Sequence, residues 1–135
     1  MKGSPKRKVR RILVMLLATF GALLAFGSQA VAAEGRLVQH RSGINLNYFP
    51  RDVHRGQFVR FDARVHCDRA DFRGTVTFYD LRDHRLLGRD HVDRHRHATI
   101  GTRIYSPGRH MVRATFDSDR GFCHRASDTV TFFVR

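Results

Sequence analysis

Residues 72–92, FRGTVTFYDLRDHRLLGRDHV, contain the pattern that decides the fold. The first half, GTVTFYD (74–80), alternates β-branched and aromatic residues, which is typical of a β-strand with two different faces. Val76 and Phe78 lie on one face and are predicted to enter a core. The opposite face carries Thr75, Thr77 and Tyr79. The polar segment DLRDH then predicts a turn, and RLLGRD (85–90) predicts a second short strand with Leu86 or Leu87 in the core.

The same alternation recurs along the chain after residue 33, where helical periodicity is scarce. FVRFDARVHC (58–67) places a row of apolar side chains on one face: Val59, Phe61, Ala63, Val65 and Cys67. RHMVRATFD and DTVTFFV alternate in the same way, and the shorter candidates are INLNYF and ATIGTRI. Turn signals separate these runs at short spacing. About seven short strands without a convincing helix predict an all-β fold, an antiparallel β-sandwich.

The amino-terminal segment has the three parts of a secretory signal peptide. MKGSPKRKVRR carries six basic residues, the apolar run Ile12–Phe26 follows, and the small-residue segment GSQAVAA ends at Ala33. We predict cleavage after Ala33, which leaves residues 34–135 as a single domain that is secreted or associated with the cell surface. Membrane contact is expected only through the signal peptide during export. An uncleaved anchor is the alternative, although fifteen apolar residues are few for a spanning helix.

Charge and cysteine content suggest the compartment and the type of partner. Residues 34–135 contain 19 Arg, no Lys, 12 acidic residues and nine His, so their formal net charge is +7. This excess favours anionic partners such as envelope polymers or acidic proteins. Asp residues are interleaved with the arginines, which argues against a dedicated nucleic-acid site. Cys67 and Cys123 are the two cysteines, and in an exported chain they predict one disulfide.

Five motifs occur in an order that resembles the bacterial Ig-like repeat domains of secreted and surface proteins. They are GTVTFYD (74–80), LLG (86–88), AT (98–99), PGRHMVRATFDSD (107–119) and TVTFFV (129–134), and GQFVRFDARV (56–65) fits the strand that precedes them. The resemblance covers roughly residues 55–135 and implies an Ig-like sandwich. It places both cysteines at one end, unlike the core-crossing bridge of antibody domains. The loops at that end are the implied recognition surface, with the candidate residues Asp68, Arg69, Asp71, Arg73, Arg120, Phe122, His124 and Arg125.

Metal binding and catalysis receive little support from the sequence. His91, His95 and His97 in HVDRHRH are weak metal candidates, because alternating imidazoles can share a face but the interleaved arginines oppose a cation. His110 matches a histidine of the Ig-like family and is expected to be a hydrogen-bonded structural residue. No motif of a nucleophilic or metal-dependent enzyme is present. We therefore predict no catalytic residues and no cofactor.

The function predicted from the sequence is non-enzymatic. The first hypothesis is an Ig-like domain with a binding, adhesive or structural role at the cell envelope or outside the cell, and its partner is an unknown protein or an anionic envelope polymer. The alternative is a charge-driven binder of anionic extracellular polymers that uses faces rich in Arg and His. A loop-based binder is expected to depend on the Cys67–Cys123 bridge, whereas a charge-driven binder is expected to depend on salt.

Overall fold

The computed structural model describes residues 38–135, and the predicted signal peptide (1–33) lies outside the described residues. Seven strands and one short 3₁₀ helix follow one another in this part of the chain. They are β1 (Ser42–Phe49), β2 (Phe58–Cys67), β3 (Gly74–Asp80), β4 (Arg85–His91), β5 (His97–Arg103), β6 (Gly108–Ser118), the 3₁₀ helix (Asp119–Gly121) and β7 (Ala126–Val134). No helix within residues 38–135 is long and apolar enough to cross a membrane.

The strands form two antiparallel sheets that pack face to face. One sheet has three strands in the order β1-β2-β5, and the other has four in the order β4-β3-β6-β7. The prediction of an all-β, antiparallel β-sandwich of about seven strands is therefore confirmed. The stretch 72–92 contains β3, a polar turn and β4, which pair with each other. Because β4 pairs with β3, it belongs to the four-stranded sheet.

The core lies between the sheets and is built from the alternating positions that the sequence indicates. In β2 every predicted apolar residue from Val59 to Cys67 is buried, and Val76 and Phe78 of β3 are fully buried. Phe61 of one sheet packs near Phe132 of the other, with ring centroids 5.8 Å apart. In β4 the core residue is Leu87, whereas Leu86 is 47% exposed. A register shift between Phe78 and Tyr79 accompanies this arrangement.

Both open flanks of the sandwich are closed by an aspartate that bonds to the backbone of the opposite sheet. Asp128 of β7 accepts the backbone N–H of Leu46 in β1 at 2.9 Å. Asp90 of β4 accepts the backbone N–H of Thr99 in β5 at 2.7 Å. Each aspartate shares an inward row with a buried residue of the neighbouring strand. Because these inward carboxylates accept backbone N–H groups of edge strands, those N–H groups are not available for pairing with a further strand.

Candidate functional site

The disulfide joins the two sheets at one end of the sandwich. Cys67 is the last residue of β2 and Cys123 lies in the β6–β7 loop, with their Cα atoms 6.2 Å apart and both side chains buried. The predicted bridge is confirmed. Next to it, the amide of His40 donates to Phe122 O at 2.8 Å and the amide of His124 donates to His40 O at 2.9 Å. The β6–β7 loop is therefore held by both the cystine and the segment before β1.

The β4–β5 loop reaches the same end as the β2–β3 loop (68–73) and the β6–β7 loop (119–125). The sequence does not predict this convergence of three loops. The β4–β5 loop (92–96) is tied to the start of β3 because the amide of Val92 donates to Gly74 O at 2.9 Å. The guanidinium of Arg96 lies 5.7 Å from the ring centroid of Phe72. Two shallow depressions of about 460 and 330 Å³ lie between the loops, and both are lined by Arg73 and Asp119. Three loops thus converge around the cystine.

Three of the eight predicted binding residues contact one another at this end. Arg69 donates from Nε to Oδ1 of Asp71 at 2.7 Å, and its guanidinium lies 4.1 Å from the ring centroid of Phe122. The hydrogen bond from Arg69 lowers the pKa of Asp71, and the same bond raises the pKa of Arg69. Asp68 lies 3.3 Å from Nε2 of His66. These contacts restrain the conformation of the loops, and the Arg69–Asp71 ion pair neutralises part of their charge.

The remaining predicted residues divide between the loops and the neighbouring sheet. Within residues 38–135 no ion pair joins Arg73 or Arg120 to a carboxylate. His124 is exposed in the β6–β7 loop. Arg125 points instead toward the outer face of the four-stranded sheet, where its Nε lies 3.2 Å from Oδ1 of Asp117. All eight residues lie at the disulfide end, but Arg125 belongs to a different surface.

The histidines proposed as weak metal candidates each have a separate neighbour. His91 lies 3.2 Å from Oγ1 of Thr75, and His97 lies 3.0 Å from Oδ1 of Asp62. His95 lies 3.2 Å from Nε of Arg94. Asp93 accepts the backbone N–H groups of His97 and His95, and these bonds lower its pKa. The β4–β5 loop thus uses its carboxylate to hold its own backbone.

A different group of potential ligands lies at the opposite end. Among residues 38–135, Asp80, Asp83 and His110 place ligand atoms within 4.8 Å of one another. His110 is fully buried, its Nδ1 lies 2.7 Å from Oδ2 of Asp80, and its Nε2 lies 2.7 Å from Ser106 O. Both ring nitrogens are therefore engaged within the protein, as expected for a structural histidine. The carboxylate of Asp80 also accepts the amide of Arg82 at 3.0 Å.

A concave surface of the described residues lies on the outer face of the four-stranded sheet. This surface, which we call the sheet groove, has a volume of about 630 Å³. Its lining consists mainly of hydroxyl and guanidinium groups from β3, β4, β6 and the residues next to β3 and β7: Thr75, Thr77, Tyr79, Leu81, Arg89, Arg113, Thr115, Asp117 and Arg125. The pairing register puts Arg89, Thr77, Thr115 and Ser127 in one row across all four strands. The sole carboxylate of the lining, Asp117, is paired with Arg125.

An apolar band continues the groove toward the other end of the sheet. Leu86 and Arg113 flank Tyr79 on the two neighbouring strands. The amide of Leu81 donates to Met111 O at 2.8 Å, so these two residues are neighbours. Phe133, paired with Arg109, extends the band and is 61% exposed. One face of one sheet thus carries a basic, hydroxyl-lined half and an apolar half.

The alternation of β3 predicts the outward side chains of this face but not the groove. It places Thr75, Thr77 and Tyr79 on the face away from the core, and the structure confirms that they are only partly buried. The repeated Thr-Val-Thr of β3 and β7 is the available signal, since it puts two threonines outward in each strand. Which strands lie side by side depends on the strand order, and the groove exists only in that order.

Comparisons with known proteins add little to this geometry. No protein-family model matches the chain, and no curated protein matches it significantly. One similar solved structure is the CARDB domain of a Pyrococcus furiosus protein in complex with di-metal ions: TM-score 0.49, 14% identity, 74% of this chain and 90% of that chain. A conjugative transposon lipoprotein from Bacteroides eggerthii has a TM-score of 0.46, 10% identity and coverage of 67% and 95%.

A third similar structure is the sporulation control protein Spo0M from Bacillus subtilis. Its TM-score is 0.43 at 13% identity, and the match covers 70% of this chain and 49% of that chain. Since each of the three TM-scores is below 0.5, none of these proteins carries an argument about this chain. Membership of the Ig-like repeat family therefore stays a prediction.

Proposed function

We propose that this domain is a non-enzymatic binding module that acts outside the cytoplasm and holds an anionic polymer in the sheet groove. The observation that carries the proposal is the groove itself, where exposed guanidinium groups of Arg89 and Arg113 stand among threonine hydroxyls on a rigid sheet. Guanidinium groups form charge-assisted hydrogen bonds with carboxylate and phosphate oxygens, and hydroxyl groups accept or donate beside them.

The net charge and the pairing of charges support an anionic ligand. Residues 38–135 contain 18 Arg and 11 Asp, so the described part of the chain keeps a formal net charge of +7. Arg89 and Arg113 have no ion pair to a carboxylate within residues 38–135. A polymer that brings several negative charges to this face therefore gains contacts without breaking existing ones.

Location outside the cytoplasm is supported by two features. The segment 1–33 has the composition of a signal peptide, and the single disulfide is of a kind that persists in oxidising compartments. A non-enzymatic role is supported by the state of the reactive side chains. Both cysteines are in the disulfide, and both ring nitrogens of the buried His110 contact oxygen atoms of the protein. Within residues 38–135 these groups serve the fold.

The test is a pair of matched arginine variants of the purified chain. In the groove variant Arg89 and Arg113 become Gln, and in the control Arg60 and Arg64 on the outer face of the three-stranded sheet become Gln. All four side chains are exposed, none is paired with a carboxylate within residues 38–135, and each variant loses the same charge. Binding to polygalacturonate and to long-chain inorganic polyphosphate is measured at low and high salt.

We expect the groove variant to bind about tenfold more weakly and the control to change by less than about threefold. Both variants are expected to bind the polymers more weakly at high salt, because salt screens the attraction between the arginines and the anionic groups. Equal weakening of the two variants would mean that net charge alone attracts the polymer, and the proposal of a site in the groove would be rejected.

The loops at the disulfide end are a second candidate surface. The specific observation in their favour is the convergence of three loops around the cystine, with Arg73 and Arg120 without carboxylate partners within residues 38–135. A variant with Arg73→Gln and Arg120→Gln separates the two surfaces. If it loses binding while the groove variant keeps it, the loops are the site.

A further inference from the structure

The apolar band beside the basic half of the groove indicates which kind of anionic polymer fits. Tyr79 stands between the two halves, with Leu86 beside it on β4 and Arg113 beside it on β6. No residue within 38–135 forms a hydrogen bond with the hydroxyl of Tyr79. Tyrosine offers an apolar ring face together with a polar tip, so this position suits a ligand that has both kinds of surface.

The spacing of the arginines indicates an extended ligand. Arg89 and Arg113 lie on strands separated by β3, which is about 10 Å across the sheet at roughly 4.8 Å per strand. This is the separation of the two backbone positions, so a ligand that contacts each guanidinium group above its own strand extends over at least that distance. A linear chain with repeated anionic groups reaches both while it crosses the threonine rows between them.

We infer that the sheet groove takes a linear acidic polysaccharide, whose carboxylates contact Arg89 and Arg113 and whose sugar rings pack on Tyr79 and Leu86. This inference rests on the proposed function and specifies its ligand. A pyranose ring has C–H faces that pack on apolar side chains, hydroxyl edges that pair with threonine and, in a uronic acid, a carboxylate for arginine. Inorganic polyphosphate has no apolar face and leaves the band of Tyr79 and Leu86 without a contact.

The experiment compares ring variants across three polymers. The purified chain and the variants Tyr79→Ala and Leu86→Ala are titrated with polygalacturonate, with long-chain inorganic polyphosphate and with neutral dextran. Tyr105→Ala is the matched control, because Tyr105 is an exposed tyrosine, 60% accessible, outside the groove lining. Thermal unfolding of each variant checks that the fold is kept, and Leu86→Ala serves if Tyr79→Ala does not fold.

We expect the purified chain to bind polygalacturonate more tightly than polyphosphate, and dextran not at all. Tyr79→Ala should weaken polygalacturonate binding about tenfold and change polyphosphate binding by less than about twofold. Leu86→Ala should act in the same direction, and Tyr105→Ala should leave both affinities unchanged.

The two proposals fail in different ways. The Arg89/Arg113 variant could lose affinity for both polymers while Tyr79→Ala and Leu86→Ala weaken polygalacturonate binding no more than polyphosphate binding. In that case the groove binds anions and the polysaccharide inference is wrong. Tighter binding of polyphosphate or of a single-stranded oligonucleotide than of polygalacturonate also overturns the inference. If the Arg89/Arg113 variant keeps its affinity for both polymers, the proposed function itself is wrong.

Discussion

At the scale of single residues, the most constrained polar group is the buried pair of His110 and Asp80. Both side chains are excluded from solvent, and Arg82 and Asp83 of the β3–β4 turn surround the pair. Arg82 also donates to Pro107 O at 2.5 Å, which connects the turn to the start of β6. Since an unpaired charge in the interior is costly, each member of this group depends on the others.

Removal of one partner of this pair should be more harmful than removal of both. We expect Asp80→Ala to lower the free energy of unfolding by roughly 3–5 kcal/mol, because it leaves the His110 imidazole without its acceptor. The double variant Asp80→Ala with His110→Leu should recover part of this loss, since no buried ring nitrogen then lacks its acceptor. Urea unfolding followed by circular dichroism measures both, and losses that simply add would show that the two residues are not coupled.

Residue roles were predictable from the sequence where they depend only on alternation. Val59 to Cys67 and Val76 to Phe78 follow period two, so their burial follows from the pattern alone. The pairing of His97 with Asp62 was not predictable, because it needs the register between β5 and β2. The same holds for Arg125, which lies next to the loops in sequence and yet lines the sheet groove.

At the scale of elements, the flanks of the sandwich depend on Asp128 and Asp90. Each carboxylate crosses from the edge strand of one sheet to a backbone N–H of the edge strand of the other. The groove lies between the edge strands β4 and β7, so these contacts also fix the strands that form its sides.

Loss of either flank contact should cost stability without loss of the fold. We expect Asp128→Ala and Asp90→Ala each to lower the free energy of unfolding by about 1–3 kcal/mol, since a partly buried N–H loses its acceptor. Asp128→Asn and Asp90→Asn are the controls, because an amide oxygen still accepts the bond. Denaturant titration checks the order. If Asn and Ala variants lose stability equally, the accepted hydrogen bond is not the cause.

The convergence of the three loops could not be predicted from the sequence, because it depends on the order of the strands in the sheets. The β4–β5 loop meets the other two loops because β4 pairs with β3 while β5 pairs with β2. Local β-propensity predicts where the strands lie in the sequence. Their order in the sheets depends on the packing of both sheets on one core. The candidate metal histidines lie close together in the sequence, but the sheet register gives His91 and His97 different neighbours.

At the scale of the whole molecule, the disulfide and the groove are separate features of the sandwich. Cys67 and Cys123 join the sheets at one end, whereas the groove follows the outer face of the four-stranded sheet. The bridge closes a loop with a sequence separation of 56 residues, so the chain-entropy model gives it a contribution of about 4 kcal/mol.

Removal of the bridge should therefore affect stability far more than binding. We expect Cys67→Ser with Cys123→Ser to lower the free energy of unfolding by about 4 kcal/mol while affinity for an anionic polymer stays within about twofold, provided that most molecules remain folded. Reduced and oxidised forms of the unaltered chain provide a second comparison. Loss of binding in the folded, bridge-free variant would favour the loops as the site.

The most direct test of the central claim is to locate the bound polymer on the surface of the protein. Backbone amide NMR signals of the isotope-labelled chain are followed while oligogalacturonate is added. If the polymer binds in the sheet groove, the largest shifts occur at Thr77, Arg113 and Thr115, and the residues on the outer face of β2 are unaffected. Shifts concentrated in residues 68–73 and 119–124, or spread evenly over the basic surface, would contradict a site in the groove.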